Sequence, residues 1–130
     1  MAAFDTNVIV RVLVGDDPVQ TRKAERAFVS HARAEGVFVS LVVLAEVAWV
    51  LAAAYEWDRA AIHERLSRVV RTSGVVIEEL ELVQRALDEF VAGKADLADY
   101  LILGKARSAA GRTLLTFDKK LAREKDASLL

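Results

Sequence analysis

Five acidic side chains carry most of the chemical potential of this sequence: Asp5, Glu46, Asp96, Asp99 and Asp118. The chain has no cysteine, which removes thiol catalysis, disulfides and Cys-type zinc sites. No Ser–His–Asp order and no glycine-rich phosphate loop is evident. His31 and His63 lie far in sequence from the acids and are read as non-catalytic. What remains is carboxylate chemistry. Several carboxylates in one place repel one another, and a divalent cation relieves that repulsion. Oxygen-only donors suit Mg²⁺ or Mn²⁺. Such a cluster can activate water and steady the leaving oxygen of a phosphodiester.

Each acid also has a plainer reading. Asp5 can be a turn residue after a strand. Asp96 and Asp99, three apart, can form a capping box. Asp118 can cap the short helix that follows it. Glu46 can be a structural group tied to an arginine or an amide. Glu46 nevertheless asks the sharpest question, because it is the only charge in VFVSLVVLAEVAWVLAAAY, residues 37–55. A helix apolar on every side is expected to be central and buried. A buried carboxylate is costly unless it is paired, metal-bound or protonated. A membrane span is the other reading of so apolar a stretch. A carboxylate at its midpoint argues against that, as do flanks without positive bias. Ser40, a good helix cap, also splits the stretch into a strand and a helix.

The elements that must position these acids follow from local signals. Ala2 to Phe4 reads as a short strand ending at Asp5. Thr6 or Asn7 can cap a helix over Val8 to Val14, closed by Gly15. Asp17-Pro18 opens a second helix, ended by Gly36. Val37 to Val39 is a strand, and Ser40 opens the apolar helix. Asp58 caps a helix with Ile62, Leu66, Val69 and Val70 on one face. Val75 to Ile77 is a third strand. A helix with Val83, Ala86, Leu87, Phe90 and Val91 inward follows, ended by Gly93. Asp96 to Ala110 is helical. Thr113 to Thr116 is a fourth strand, Lys119 to Arg123 a short helix, and Ala127 to Leu130 a last short edge strand.

Strands alternating with helices predict an α/β fold, a parallel sheet with helices on both faces. Ligands of such sheets bind at the carboxyl ends of the strands. Asp5 and Asp118 directly follow strands. Glu46 lies about 9 Å along a helix that leaves the carboxyl edge, at ~1.5 Å per residue. The helix from Asp96 runs into the fourth strand, so its start returns to that same edge. All five acids are thereby expected on one rim.

The 130 residues are 54% hydrophobic and 28% charged, which suits one globular domain over residues 1–130. No stretch resembles a signal peptide, so a cytoplasmic location is expected. The net charge of -1 gives no global attraction to polyanions. If nucleic acid is the substrate, local groups must attract it. Lys119 and Lys120, beside Asp118, are the foremost substrate-binding candidates. Arg22, Arg26 and Arg33 on one helix and Arg65 and Arg68 on another are read as solvated faces. Trp49 and Trp57 are read as core or dimer-contact residues.

FDTNVIVRVL at the start, LVVLAEVAWVL in mid-chain, then DLADYLILGKA and LLTFDKKLA together resemble PIN-domain proteins. More narrowly they resemble the VapC-type toxins of toxin–antitoxin pairs. The resemblance spans nearly the whole chain in order and spacing. It implies an α/β/α sandwich with a central parallel sheet of four to five strands. It also implies a Mg²⁺- or Mn²⁺-dependent endoribonuclease acting on structured RNA such as tRNA or ribosomal RNA. The family's acidic cluster falls here on Asp5, Glu46, Asp99 and Asp118, with Asp96 as a further metal-side acid. Thr6, Asn7 and Thr116 match small polar residues that support the acids. Homodimers and a cognate antitoxin that blocks the site are implied as partners, and no membrane. A rival reading is a Mg²⁺-binding phosphoacceptor module of doubly wound fold, with Asp5 as acceptor and a nearby lysine. It leaves Glu46 and the Asp96/Asp99 pair unexplained.

Overall fold

The computed structural model of the protein describes residues 1–109 and 111–130. The order of elements is β1 (Ala2–Ala3), α1 (Thr6–Val14), α2 (Pro18–Arg33), β2 (Val37–Val39), α3 (Leu41–Ala53) and α4 (Arg59–Arg71). Then come β3 (Val75–Ile77), α5 (Leu80–Ala92), α6 (Leu97–Ser108), β4 (Leu114–Thr116), a 3₁₀ turn (Leu121–Arg123) and β5 (Ala127–Leu129). The fold is mixed α/β with parallel strands, as expected. The expected end of α6 at Ala110 lies outside the described residues; its last described helical residue is Ser108.

Three helix starts follow the local chemistry read above; the first does not, since Asp5 and not Thr6 or Asn7 caps α1, which begins at Thr6. Asp5, Asp17, Ser40 and Asp58 each accept a hydrogen bond from the backbone N–H three residues on. Each bond satisfies one of the donors a helix start leaves unpaired. Helix α3 receives a second one from far away: Leu41 N–H donates to Glu78 Oε1 at 2.8 Å. Gly74 has φ 87°, and a Cβ there would collide with the Ala32 backbone. Only glycine lets the chain pass from α4 into β3 so close to the end of α2.

Strands β1, β2 and β3 form one parallel sheet in that order, with Ala2 opposite Val37 and Val37 opposite Val75. Strands β4 and β5 form a separate parallel pair, with Leu114 opposite Ala127. All five expected strands are present and parallel, but their hydrogen bonding is divided three and two. Strand β1 has two residues, too few to extend a ladder far on its free side. Val37 and Val39 of β2 and Leu44, Val47 and Leu51 of α3 are fully buried. Each such side chain contributes about 1.5–3 kcal/mol by leaving water, so β2 and α3 are the centre of the core.

One expectation about α3 is corrected. Its apolar sequence implied burial on every side, with Glu46 inside. Only one face is buried: Leu44, Val47, Ala48 and Leu51. The opposite strip carries Val42 at 67% exposure and Trp49 at 64%, with Glu46 exposed between them. Helix α3 packs on α1, α4 and α6, and those neighbours leave this strip uncovered. Glu46 therefore escapes the desolvation cost, and the compensation sought for a buried charge is not needed. Among the described residues no helix is long and apolar enough to cross a membrane.

Candidate functional site

The parallel register brings the ends of β1, β2 and β3 to one edge. Asp5 follows β1, Ser40 follows β2 and Glu78 follows β3. Asp5 Oδ1 accepts from Val8 N–H at 3.1 Å. Thr6 and Asn7 form the first turn of α1, Thr6 half-buried and Asn7 exposed. Asp96 caps α6, and with Asp99 it makes the capping box their spacing suggested. The firm bond in it runs from Asp96 N–H to Asp99 Oδ2 at 3.1 Å. Asp118 follows β4. Its Oδ1 accepts from Lys120 N–H at 2.8 Å and Leu121 N–H at 3.2 Å. Its own N–H donates to Thr116 Oγ1 at 3.0 Å. Lys119 and Lys120 are exposed.

Asp96, Asp99 and Asp118 share one electrostatic neighbourhood. The Asp99 carboxyl is raised above its ordinary value, first because it is partly buried. The Asp96 N–H opposes that shift, while the charges of Asp96 and Asp118 add to it. Asp118 belongs to the β4–β5 pair and Asp99 to α6, so two separate parts of the fold bring like charges together. Asp5 and Glu46 sit on neighbouring elements. Helix α1, capped by Asp5, and helix α6, capped by Asp96, both pack on α3. Ala45 and Trp49, neighbours of Glu46 on α3, share a groove with Asp96 and Ala98.

The donors suit a hard cation in type and charge. Asp5, Asp99 and Asp118 each engage one carboxylate oxygen with a backbone N–H, and among the described residues no donor meets the other. Among the described residues, none of the five acids has a cationic partner. Like charges without counter-charge favour a divalent ion with oxygen ligands. The side chains are nonetheless not gathered as a finished cage: among the described residues, no three His, Cys, Asp or Glu groups stand close enough to hold a metal.

The two histidines stand apart from these contacts. His31 packs edge-on against Phe4, and His63 Nε2 meets Asp88 Oδ1 at 3.2 Å. Three groups that the sequence reading missed contribute to the rim's surroundings. Glu78 ties β3 to the start of α3. Arg59 and Tyr100 both bond the residue before Asp96. A polar group inside the apolar run Tyr100–Leu103 was the only hint of the last.

No curated protein matches the chain. Among family models, the one described as PIN domain matches residues 2–126.

Proposed function

The chain belongs to the PIN domain family, whose fold is of nuclease type, and on that premise we propose that it is a Mg²⁺- or Mn²⁺-dependent endoribonuclease. Its substrate is structured RNA, tRNA or ribosomal RNA, and its role is that of the toxin in a VapC-type toxin–antitoxin pair acting in the cytoplasm. The observation that carries this reading is that the charges of Asp96 and Asp118, from two parts of the fold, both act on Asp99, with no cationic partner for the three among the described residues.

In this reading Asp5, Glu46, Asp99 and Asp118 hold the cation, with Asp96 beside them. When bound, the cation supplies the positive charge that a water nucleophile and a phosphodiester oxyanion require. The chain's own residues set the geometry. The backbone N–H groups of Val8, Asp96 and Lys120 each fix one oxygen of an acid, which aims the other. Thr116 holds the Asp118 backbone. Thr6 and Asn7 support Asp5 from the first turn of α1. Lys119 and Lys120 meet flanking phosphates, which offsets a net charge of -1 that offers RNA no general attraction. The products are a 5′-phosphate and a 3′-hydroxyl. The uncovered strip of α3, with Val42 and Trp49 exposed, supports a homodimer contact, and the cognate antitoxin blocks the acidic rim.

Purified protein is expected to cut a structured RNA pool in Mg²⁺ or Mn²⁺ and to stop on addition of EDTA. Asp5→Asn serves as the inactive control, since asparagine caps α1 as well as aspartate does. Equal cutting in EDTA would defeat the metal assignment. Metal binding without cutting, together with capture of a beryllofluoride phosphate mimic, would favour the phosphoacceptor instead.

A further inference from the structure

The geometry points to Arg59 and Tyr100 as a pair of positioning residues that set the acidic rim through the backbone of Ala95, an inference that rests on the nuclease reading above. Asp96 and Asp99 depend on the short connection that leads from α5 into α6. Ala95 is buried there, and side chains from elsewhere take both of its backbone groups. Arg59 Nη2 donates to the Ala95 carbonyl at 2.5 Å. The Tyr100 hydroxyl accepts from Ala95 N–H at 3.4 Å. Ala95 is thus held on both sides, one residue before the cap of α6.

The same guanidinium reaches back to the end of α5. Its Nε and Nη2 donate to the Phe90 carbonyl at 3.0 and 2.5 Å, in the last turn of α5, where Gly93 N–H reaches the same oxygen at 3.3 Å. Its carbon lies 4.0 Å from the centre of the Phe90 ring. Arg59 has no carboxylate partner among the described residues; its donors go to backbone carbonyls. A planar fork can meet two carbonyls and stack on a ring together, whereas an ammonium cannot. One α4 side chain therefore fixes the distance between the last turn of α5 and the first residue of the rim.

Tyr100 extends the link to the other acid. It is fully buried, follows Asp99 directly, and donates to Glu124 Oε1 at 2.7 Å. Glu124 closes the 3₁₀ turn whose Leu121 N–H bonds Asp118. The series Arg59, Ala95, Tyr100, Glu124 thus runs from α4, past Asp96 and Asp99, to the segment that carries Asp118. Gly93 leaves room for it, since a Cβ there would collide with the Tyr100 hydroxyl.

The test measures Mn²⁺ affinity by calorimetry, RNA cleavage kinetics and thermal stability for Arg59→Lys and Tyr100→Phe. Each variant is expected to bind Mn²⁺ about tenfold or more weakly, the usual effect of losing a group that orients metal ligands. kcat should fall with KM for RNA unchanged, and saturating Mn²⁺ should restore much of the rate. His63→Gln breaks another α4–α5 contact and should leave Mn²⁺ affinity as in wild type. If both variants bind Mn²⁺ like wild type and lose only stability, the residues merely hold the fold and the inference is wrong. Should Arg59→Lys fail to fold, Tyr100→Phe alone decides on the same terms. Wild-type protein that neither binds Mn²⁺ nor cuts RNA would instead overturn the nuclease reading, and the positioning role with it.

Discussion

Asp99→Asn should abolish RNA cleavage while making the metal-free protein more stable. Loss of activity by about a hundredfold to a thousandfold is the range for removing one preorganised electrostatic group from a reaction centre. The stability gain follows from the site's own electrostatics. Burial, then the charges of Asp96 and Asp118, raise the Asp99 carboxyl above its ordinary value despite the Asp96 N–H. The folded state thus binds this proton more tightly than the unfolded state does. By linkage, the group costs stability as pH rises through and above the unfolded value, and the cost is complete above the folded one. Below both values the cost disappears. Asparagine keeps an oxygen for the Asp96 N–H and carries no charge. In EDTA, melting temperatures of wild type and variant should converge in acid and separate toward neutral pH, the variant higher. Added Mn²⁺ should reverse the order, because a ligand at 100 times its Kd stabilises the folded state by about 2.7 kcal/mol. A variant that melts below wild type in EDTA at neutral pH would mean Asp99 is a structural cap with no strained charge.

Arg107→Ala should be the most damaging change away from the acids themselves. Arg107 is 14% exposed and stands in the last turn of α6. Its Nη1 pairs with Glu89 at 2.9 Å and its Nε with Asp126 at 3.1 Å. Its Nη2 donates to the Lys125 carbonyl at 2.7 Å. One side chain thereby ties α5 and α6 to the turn before β5. Removing it takes the ion-pair partner recorded for Asp126 and leaves Glu89 with Arg85 Nε at 3.8 Å. An exposed pair is worth up to about 1 kcal/mol, and breaking a buried one costs about 3–5 kcal/mol. Glu89 and Asp126 are partly exposed, so a loss of about 2 kcal/mol, between those limits, is expected in urea unfolding. Arg107→Lys should not recover it, since the fork is lost. Cleavage should also fall, because Asp118 rides on the β4–β5 pair. Unchanged stability would show that the ties are exchanged freely with solvent.

Much of this arrangement was legible in local sequence, where the cause is local too. Asp17-Pro18, Ser40 and Asp58 announce helix starts because a cap needs only its own side chain and an N–H three residues on. Strands β2 and β3 lie at the expected residues, since each is a β-branched or aromatic run bounded by glycine or a cap. The Asp96–Asp99 box was visible in its spacing. Features that depend on distant partners were not. Glu46 looked buried because composition gives a helix's apolarity but not which neighbours cover it. The division of the strands into two sheets turns on ladder bonds that β1 is too short to extend. Arg59, Tyr100 and Arg107 meet partners that only the folded chain brings near, and nothing beside them in sequence marks that meeting.

The division into two sheets bears on how the protein opens. Proteins unfold locally in cooperative units, and those with fewer buried contacts open first. The fully buried residues lie in β2 and in α1, α3, α4, α5 and α6, whereas in β4 and β5 Leu115 and Leu129 are exposed at 61% and 52%. The β4–β5 pair is thus expected to open as a separate, weaker foldon. Its amides, Leu114 and Leu130 among them, should exchange with deuterium sooner than those of β2. Asp118 departs with that unit while Asp5 and Asp99 stay on the stable body. Such a sub-global fluctuation would dismantle and rebuild the rim, uncovering Leu121 while β2 and α3 stay packed. Uniform exchange across all five strands would show that the two sheets open as one.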